Sequence, residues 1–113
     1  MSEAVPSIGA LTDRVELKRK IVTAEDEGGA AAVFSPIATV WARVRQLTAR
    51  QALDGDARGT SITHSVVLRF RLDLHPGDRI AYRGRELEVA ATNDLNGGRA
   101  YLACQCSERV VTA

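Results

Sequence analysis

The chain has 113 residues, close to the commonest size of a single domain and long enough to bury one modest hydrophobic core. Hydrophobic residues make up 45% and charged residues 26%, which excludes disordered and fibrous classes. Lys and Arg number 15 against 14 Asp and Glu, so a net charge of +1 gives no global attraction to nucleic acid.

The sequence predicts one domain over residues 1–113, with flexible tails at 1–10 and 109–113. No run approaches the roughly 20 apolar residues that cross a bilayer. The N-terminus lacks a basic start followed by a continuous apolar region, as a secretory signal would have. We therefore expect an intracellular protein without a membrane partner.

Alternating side chains predict the first two strands. From 14 to 22, three apolar residues fall on odd positions and three charged residues on the even positions between them: Val15, Leu17 and Ile21, with Glu16, Lys18 and Lys20. Residues 23–32 are predicted to form a surface loop, and 34–44 resume strand-like composition. Trp41 lies in this second strand and is the only Trp of the chain. Because one Trp supplies much of the apolar area that a small β-domain buries, we predict that Trp41 lies in the core.

Residues 47–53 change character and predict a short helix. Thr48 and Gln51 have the spacing of a capping box, and Leu47 and Ala52 have that of a hydrophobic staple. The Gly and Asp residues of 54–59 favour turns, so a long mobile loop is expected to follow the helix.

The clearest predicted strand covers 62–73, and its apolar face carries core candidates Val66, Leu68 and Phe70. Further strands are predicted at 79–83, 85–92 and 99–107, separated by turns at 75–78, 83–84 and 93–98. Six strands with one short helix predict a mainly β fold, a small antiparallel barrel or sandwich.

No constellation for catalysis or metal binding stands out. Cys104 and Cys106 share one face of a predicted strand, where we expect reduced, half-buried thiols, and His64 and His75 lie elsewhere in the sequence. Structural zinc uses four such ligands at recognisable spacing. His64 lies on an apolar face and is interpreted as a core or subunit-contact residue. We therefore expect no catalytic residues, no metal, no cofactor and no enzymatic activity.

Arg69 and Arg71 project from one face of the third strand, and further arginines on neighbouring strands and turns make a basic stripe possible. The stripe fits a solvated outer face, a protein contact or a weak phosphate-facing surface. Aromatic residues that stack on bases are nearly missing from these positions.

Several segments, taken in order, resemble the phage head-tail joining family, the connector proteins that close a DNA-filled capsid and receive the tail. The resemblance covers about residues 11–108. Its pieces are Leu-Thr-Asp-Arg-Val-Glu-Leu at 11–17, Gly-Gly at 28–29, Val-Trp-Ala-Arg-Val at 40–44, His-Ser-Val-Val-Leu-Arg-Phe-Arg at 64–71, Pro-Gly-Asp-Arg-Ile at 76–80, Gly-Arg-Glu-Leu-Glu-Val at 84–89 and Tyr-Leu at 101–102. Phe34 departs from the pattern, because the family favours Trp there.

The resemblance implies a barrel-like subunit that forms a homo-oligomeric ring of six or twelve copies, acting as adaptor or stopper. Such a ring lies in the neck of a tailed phage or gene transfer agent, assembles in the bacterial cytoplasm, and joins the portal or adaptor protein to a tail terminator or tail tube protein. Double-stranded DNA passes through it without sequence-specific binding.

The resemblance also assigns residues 47–61 to a loop that contacts neighbouring subunits or constricts the DNA channel. Its candidate residues are Leu47, Thr48, Arg50, Gln51, Asp54, Asp56 and Arg58. We hypothesise that Asp54 and Asp56 face the channel and repel DNA phosphate. The alternative function is a small OB-like or SH3-like barrel that binds nucleic acid or a peptide through the face of Arg69 and Arg71.

Overall fold

The computed structural model describes residues 10–24, 28–48 and 62–109. It consists of six antiparallel strands that close into a barrel in the order β1-β2-β3-β6-β5-β4. The strands are β1 (Asp13–Ala24), β2 (Ala30–Gln46), β3 (His64–Arg69), β4 (Arg79–Tyr82), β5 (Arg85–Asp94) and β6 (Tyr101–Arg109), with a 3-10 turn at Leu95–Gly97 between β5 and β6. The prediction of a mainly β, antiparallel fold is confirmed.

The barrel interior is filled by alternate side chains from all six strands. Val66 and Leu68 are fully buried there, as the pattern of β3 predicts, and Phe70 is partly buried against the same core. The buried members of this core are Val15, Leu17, Ala42, Val66, Leu68, Leu74, Ile80, Leu87, Val89, Leu102, Cys104 and Cys106.

The prediction that Trp41 belongs to the core is wrong, because its side chain is 51% exposed. Its neighbour Ala42 points inward and is fully buried, opposite Leu68 of β3. Alternation along a strand then sends Trp41 to the outer face. Large side chains from other strands already occupy the interior, which leaves β2 room for only a small residue at this level.

The loop predicted at 23–32 needs correction, because residues 23–24 and 30–32 belong to strands. β1 continues to Ala24 and β2 begins at Ala30, and these two residues pair. Residues 19–24 are exposed throughout, so no buried face imposes an apolar period there, although the backbone ladder continues. We call residues 19–24 and 30–35 the arm, a two-stranded extension beyond the barrel.

A β-bulge marks the point where the arm leaves the barrel. Leu17 pairs with Ala38, but Lys18 pairs with Pro36, so Ile37 is the extra residue. Bulges bend a strand pair and tolerate the missing N–H of proline. The long axis of the molecule is 49 Å, against 29 and 27 Å for the other two.

Two further predictions need correction. β3 ends at Arg69 rather than continuing to 73, because the chain must leave the sheet to bring β4 beside β1, and Leu72 is 74% exposed. Cys104 and Cys106 are free but fully buried rather than half-buried, since barrel closure covers their face. Burial raises the pKa of the Cys104 thiol to about 12 and that of Cys106 well above its usual value.

Most of the helix predicted at 47–53 lies outside the described residues; Leu47 and Thr48 themselves are not helical. Among the described residues, the structure contains no helix of the length and hydropathy that a membrane crossing needs.

Candidate functional site

The ends of the long loop are fixed to the barrel through Thr63. The Leu47 N–H donates to the Thr63 carbonyl at 2.8 Å, and the Thr63 N–H donates to the Cys106 carbonyl at 2.9 Å. The Thr63 hydroxyl accepts the Glu108 N–H at 2.8 Å. The residues on either side of the segment 49–61 are therefore held together at one place, which we call the loop base. The loop base is joined to β2, β3 and β6.

His64 lies at this same base and is only 2% exposed. Its Nδ1 is 2.8 Å from the Thr63 hydroxyl, which donates to Nδ1 when the neutral imidazole carries its proton on Nε2. Burial lowers the pKa of His64; nearby Glu108 opposes the shift and Arg85 adds to it. The prediction of a core histidine is confirmed, and its neutral form is the one that suits the loop base.

The base of the arm is fixed by Asp78, which comes from the Pro-Gly-Asp segment of the sequence. Asp78 is 4% exposed, and its carboxylate accepts the Lys20 N–H at 3.0 Å and the His75 N–H at 2.9 Å. The Asp78 carbonyl also accepts the Val89 N–H at 2.8 Å. One turn thus connects β5 to the first residues of the arm.

Asp13, in the opening Leu-Thr-Asp-Arg-Val segment, connects three strands. Its carboxylate accepts the Val44 N–H at 2.9 Å and lies 3.4 Å from the Tyr82 hydroxyl. These contacts join β1 to β2 and to β4 near the closure of the barrel. Both motif carboxylates therefore have structural roles that hold the hairpin of β1 and β2 in place.

An outer pocket of about 680 Å³ lies on the opposite end of this hairpin from the arm. It is lined by Leu11, Thr12, Val40, Trp41, Arg69 and Arg71. The Arg14 guanidinium lies 4.9 Å from the centre of the Trp41 ring, within cation–π range. The pocket therefore combines an apolar floor with a cationic rim.

The structure brings Arg69 and Arg71 together in this pocket, although Arg71 has left the strand. Asp73 accepts two hydrogen bonds from the Arg71 guanidinium, at 2.7 and 2.9 Å, and this pairing lowers the pKa of Asp73 to about 2. Arg71 is thus largely neutralised. Arg69 and Arg14 supply the remaining positive charge at the rim.

Several arginines of the predicted basic stripe have contacts within the chain. Arg79 stacks on Phe34 at 3.8 Å and Arg83 lies over Tyr82 at 5.3 Å. Arg85 lies 3.8 Å from Glu108. Most of these arginines thus have local partners within the chain.

The sequence did not lead us to predict that Trp41 lies next to the cationic rim of the pocket. In β2, Val40, Ala42 and Val44 alternate with Trp41 and Arg43, and this period of two does not say which set is inward. Taking the aliphatic set as the inward one places Trp41 outside, next to Arg14 of the paired strand.

Five of the predicted loop residues lie outside the described part of the chain: Arg50, Gln51, Asp54, Asp56 and Arg58. Leu47 and Thr48 lie at the loop base. Within the ranges that the structure describes, no three His, Cys, Asp or Glu side chains converge as a metal site would require.

Comparison with known proteins decides the family. The model of the phage head completion protein family matches residues 6–109. The chain belongs to this family. The resemblance seen in the sequence is thereby confirmed, and membership assigns a structural role at the phage head and its junction with the tail, in a family that is not one of enzymes.

Solved structures share the fold at low sequence identity. A solution structure of a protein from Shigella flexneri 2a is 24% identical, with a TM-score of 0.70 over 91% of this chain and 96% of that one. A chain in the virion of a native gene transfer agent particle is 17% identical, with a TM-score of 0.62 over 89% and 97% of the two chains. No curated protein matches the sequence.

Proposed function

We propose that this head completion protein forms a ring in the neck of a tailed phage or gene transfer agent, where it joins the portal or adaptor to the tail and closes the DNA channel as a stopper. The family match over residues 6–109 carries the proposal. The similarity in fold to a chain of a gene transfer agent virion supports that setting. Six or twelve copies would satisfy the symmetry of such a neck.

The loop base supports a stopper role for residues 47–61. A segment that contacts a neighbour or DNA needs a rigid attachment, and the bonds of Thr63 to β2 and β6 supply one. Asp54 and Asp56, repeated around a ring, would put a band of negative charge at the channel. Such a band would repel phosphate and keep the duplex from sticking.

Electron microscopy of particles made without this gene tests the neck role. We expect emptied or DNA-leaking heads beside complete free tails, and restoration of tailed, filled particles by the wild-type gene. Normal particles from the deletion would refute the role.

The loop carboxylates are tested by complementing the deletion with Asp54→Asn/Asp56→Asn. We expect assembled particles whose DNA is retained or ejected differently, because the phosphate-repelling charge is removed. Glu16→Gln/Glu88→Gln is the matched control, since it removes the same charge from the outer barrel, where both side chains are partly exposed. Identical ejection and retention in the two double variants would contradict the channel role.

The exposed Trp41 beside Arg14 and Arg69 gives some support to the second candidate, a barrel that binds nucleic acid or a peptide. Binding driven by phosphate contacts weakens steeply as salt rises, whereas a protein ring responds less. Titration of a labelled oligonucleotide at increasing salt distinguishes the two, and absence of binding at low salt excludes the nucleic-acid form.

A further inference from the structure

Two exposed apolar surfaces lie at different ends of the molecule, on the arm and around the outer pocket. On the arm, Ile21, Val22 and Val33 are 45, 62 and 55% exposed. At the pocket, Trp41 is 51% exposed above Leu11 and Val40. Clustered exposed apolar residues of this kind mark interaction sites.

The arm has reason to pack against something. Ile21 pairs with Val33 on one face of a two-stranded extension, on the side that continues from the barrel core. An isolated two-stranded ribbon is marginally stable in water, and among the described residues nothing covers this face. Asp78 fixes only the base of the arm. Contact with another molecule would bury the apolar face and order the arm.

The outer pocket suits an apolar segment that carries negative charge. Trp and Arg are the residues that most often dominate binding energy at interfaces, and here Trp41 lies beside Arg14. Arg69 adds a second cation, while Arg71 is paired with Asp73. A carboxylate-bearing partner would complement the two remaining charges.

The arm matches this requirement in composition. Its two strands carry Ile21, Val22 and Val33, and the residues between them include Glu25, Asp26 and Glu27. The basic residues Arg19 and Lys20 lie at the other end of the arm, next to the barrel. The apolar residues of the arm, together with the acidic residues that join its two strands in the sequence, thus complement the apolar and cationic character of the pocket.

The arm of one copy cannot reach its own pocket. Arg14, beside Trp41, and Ile21, which supplies the apolar contact of the arm, are seven positions apart on one strand. That separation corresponds to about 23 Å at a rise of roughly 3.3 Å per residue. Contact between the two surfaces therefore requires two copies, and a head-to-tail contact of this kind repeats until it closes a ring.

We propose that the arm of each copy binds the outer pocket of the next copy, and that this contact builds the ring. The inference deepens the proposed neck function and rests on it for its setting. Trp41, Arg14 and Arg69 receive the arm, while Ile21 and Val33 supply its apolar contact.

Disulfide cross-linking in the full chain tests the contact directly. The variant Thr12→Cys/Val33→Cys places one thiol at the pocket and one on the arm, both at described positions. The native Cys104 and Cys106 are buried, so they do not compete. Mild oxidation of purified particles and of concentrated purified protein is followed by non-reducing electrophoresis. We expect a ladder of covalent oligomers whose longest member gives the number of copies in the ring.

The matched control is Gln105→Cys/Val33→Cys, whose second thiol is exposed on β6 outside the pocket. A ladder no stronger than that of the control, in both samples, would overturn the contact between arm and pocket. If no such ladder forms but deletion of the gene still empties the heads, the contact is refuted and the neck function is retained. A ladder from purified protein combined with normal deletion particles would support the contact and refute the neck function.

Single variants provide a second readout that does not depend on oxidation. Trp41→Ala and Val33→Asp change exposed side chains, so their melting temperatures should stay near that of the wild type. Each should lower the yield of filled, tailed particles at least about tenfold, a loss typical of a truncated interface anchor. Full yield from both would contradict the proposal, as would salt-sensitive oligonucleotide binding at the pocket without cross-linking.

Discussion

At the scale of single residues, three side chains near strand ends fix the parts of the molecule that we assign to function. Thr63 bonds to Leu47 and to Cys106 through its backbone, which ties the residues at both ends of the long loop to the barrel. His64 lies beside Thr63 and places no charge at this buried position when its imidazole is neutral. Asp78 fixes the first residues of the arm. Each acts through hydrogen bonds to backbone N–H groups or to a neighbouring hydroxyl, which specify geometry more than they add stability.

The lowered pKa of His64 predicts a stability that depends on pH. The unfolded chain binds a proton near pH 6.5, whereas the folded chain resists protonation because the imidazole is buried. The free energy of unfolding should therefore be fully present above pH 6.5 and be lost as the pH falls toward the folded pKa. The slope can reach about 1.4 kcal/mol per pH unit for one proton.

Denaturant titrations at about six pH values between pH 7.5 and 5 would measure how the free energy of unfolding changes with pH. His64→Asn should flatten this slope, since Asn keeps an acceptor for Thr63 without a titrating ring. Val67→Ala is the control, since it changes a buried side chain without a titrating group and should keep the wild-type slope. An unchanged slope in His64→Asn would assign the pH dependence to other groups.

At the scale of elements, different interactions stabilise the arm and the part of β1 and β2 that lies in the barrel. Inside the barrel, Val15 and Leu17 pack on one face and the polar side chains lie on the other. Beyond the bulge at Lys18, most side chains of the hairpin are exposed, and the backbone ladder, Asp78 and the stacking of Arg79 on Phe34 hold it. The arm is therefore the element whose order depends most on a single side chain.

Asp78→Ala should loosen the arm while the barrel remains folded. Removing the carboxylate leaves the Lys20 and His75 N–H groups without their partner, at a cost of about 1–3 kcal/mol. Hydrogen exchange should accelerate at residues 19–24 and stay slow in β3 and β6.

Asp94→Ala is the matched control, since Asp94 accepts an N–H from Arg99 in an exposed turn outside the arm. Exchange in the arm should match the wild type in this variant. Equal exchange rates for the arm in Asp78→Ala and the wild type would show that pairing between β1 and β2 suffices.

At the scale of the whole molecule, a closed barrel presents three separate features to its surroundings: the arm, the outer pocket and the base of the long loop. Closure removes the free sheet edges of the barrel itself, through which β-proteins associate, whereas each strand of the arm keeps one edge without a described partner strand. Association of copies is therefore confined to surfaces such as the arm and the pocket. A connector ring benefits from this arrangement, because its subunits stay folded while they assemble.

Replacing residues 50–60 with a short Gly-Ser linker should leave the barrel intact and impair the neck. The ends of the replaced segment are fixed at Leu47 and Thr63, so the melting temperature should change by only a few degrees. Particles carrying this variant should leak DNA, if the segment closes the channel. Full DNA retention in well-folded variant particles would remove the stopper role and leave that of an adaptor.

The sequence by itself determined the mainly β class, the number of strands and the buried face of β3, because side chains alternate along a strand wherever one face is buried. The order of its motifs also indicated the family. Local pattern did not reveal the arm, since exposed strands carry no apolar period, nor the 62–73 strand ending at Arg69, which depends on where β4 must pair.

Only the tertiary structure decided which side of β2 is inside. A period of two puts Trp41 and Ala42 on opposite faces of β2, but it does not say which face is buried. Closure of the barrel decides this, because Leu17 and Leu68 fill the interior around Ala42 and leave the larger ring of Trp41 to the outer face. The same closure buried Cys104 and Cys106 fully and set Trp41 beside Arg14, where we place the contact between copies.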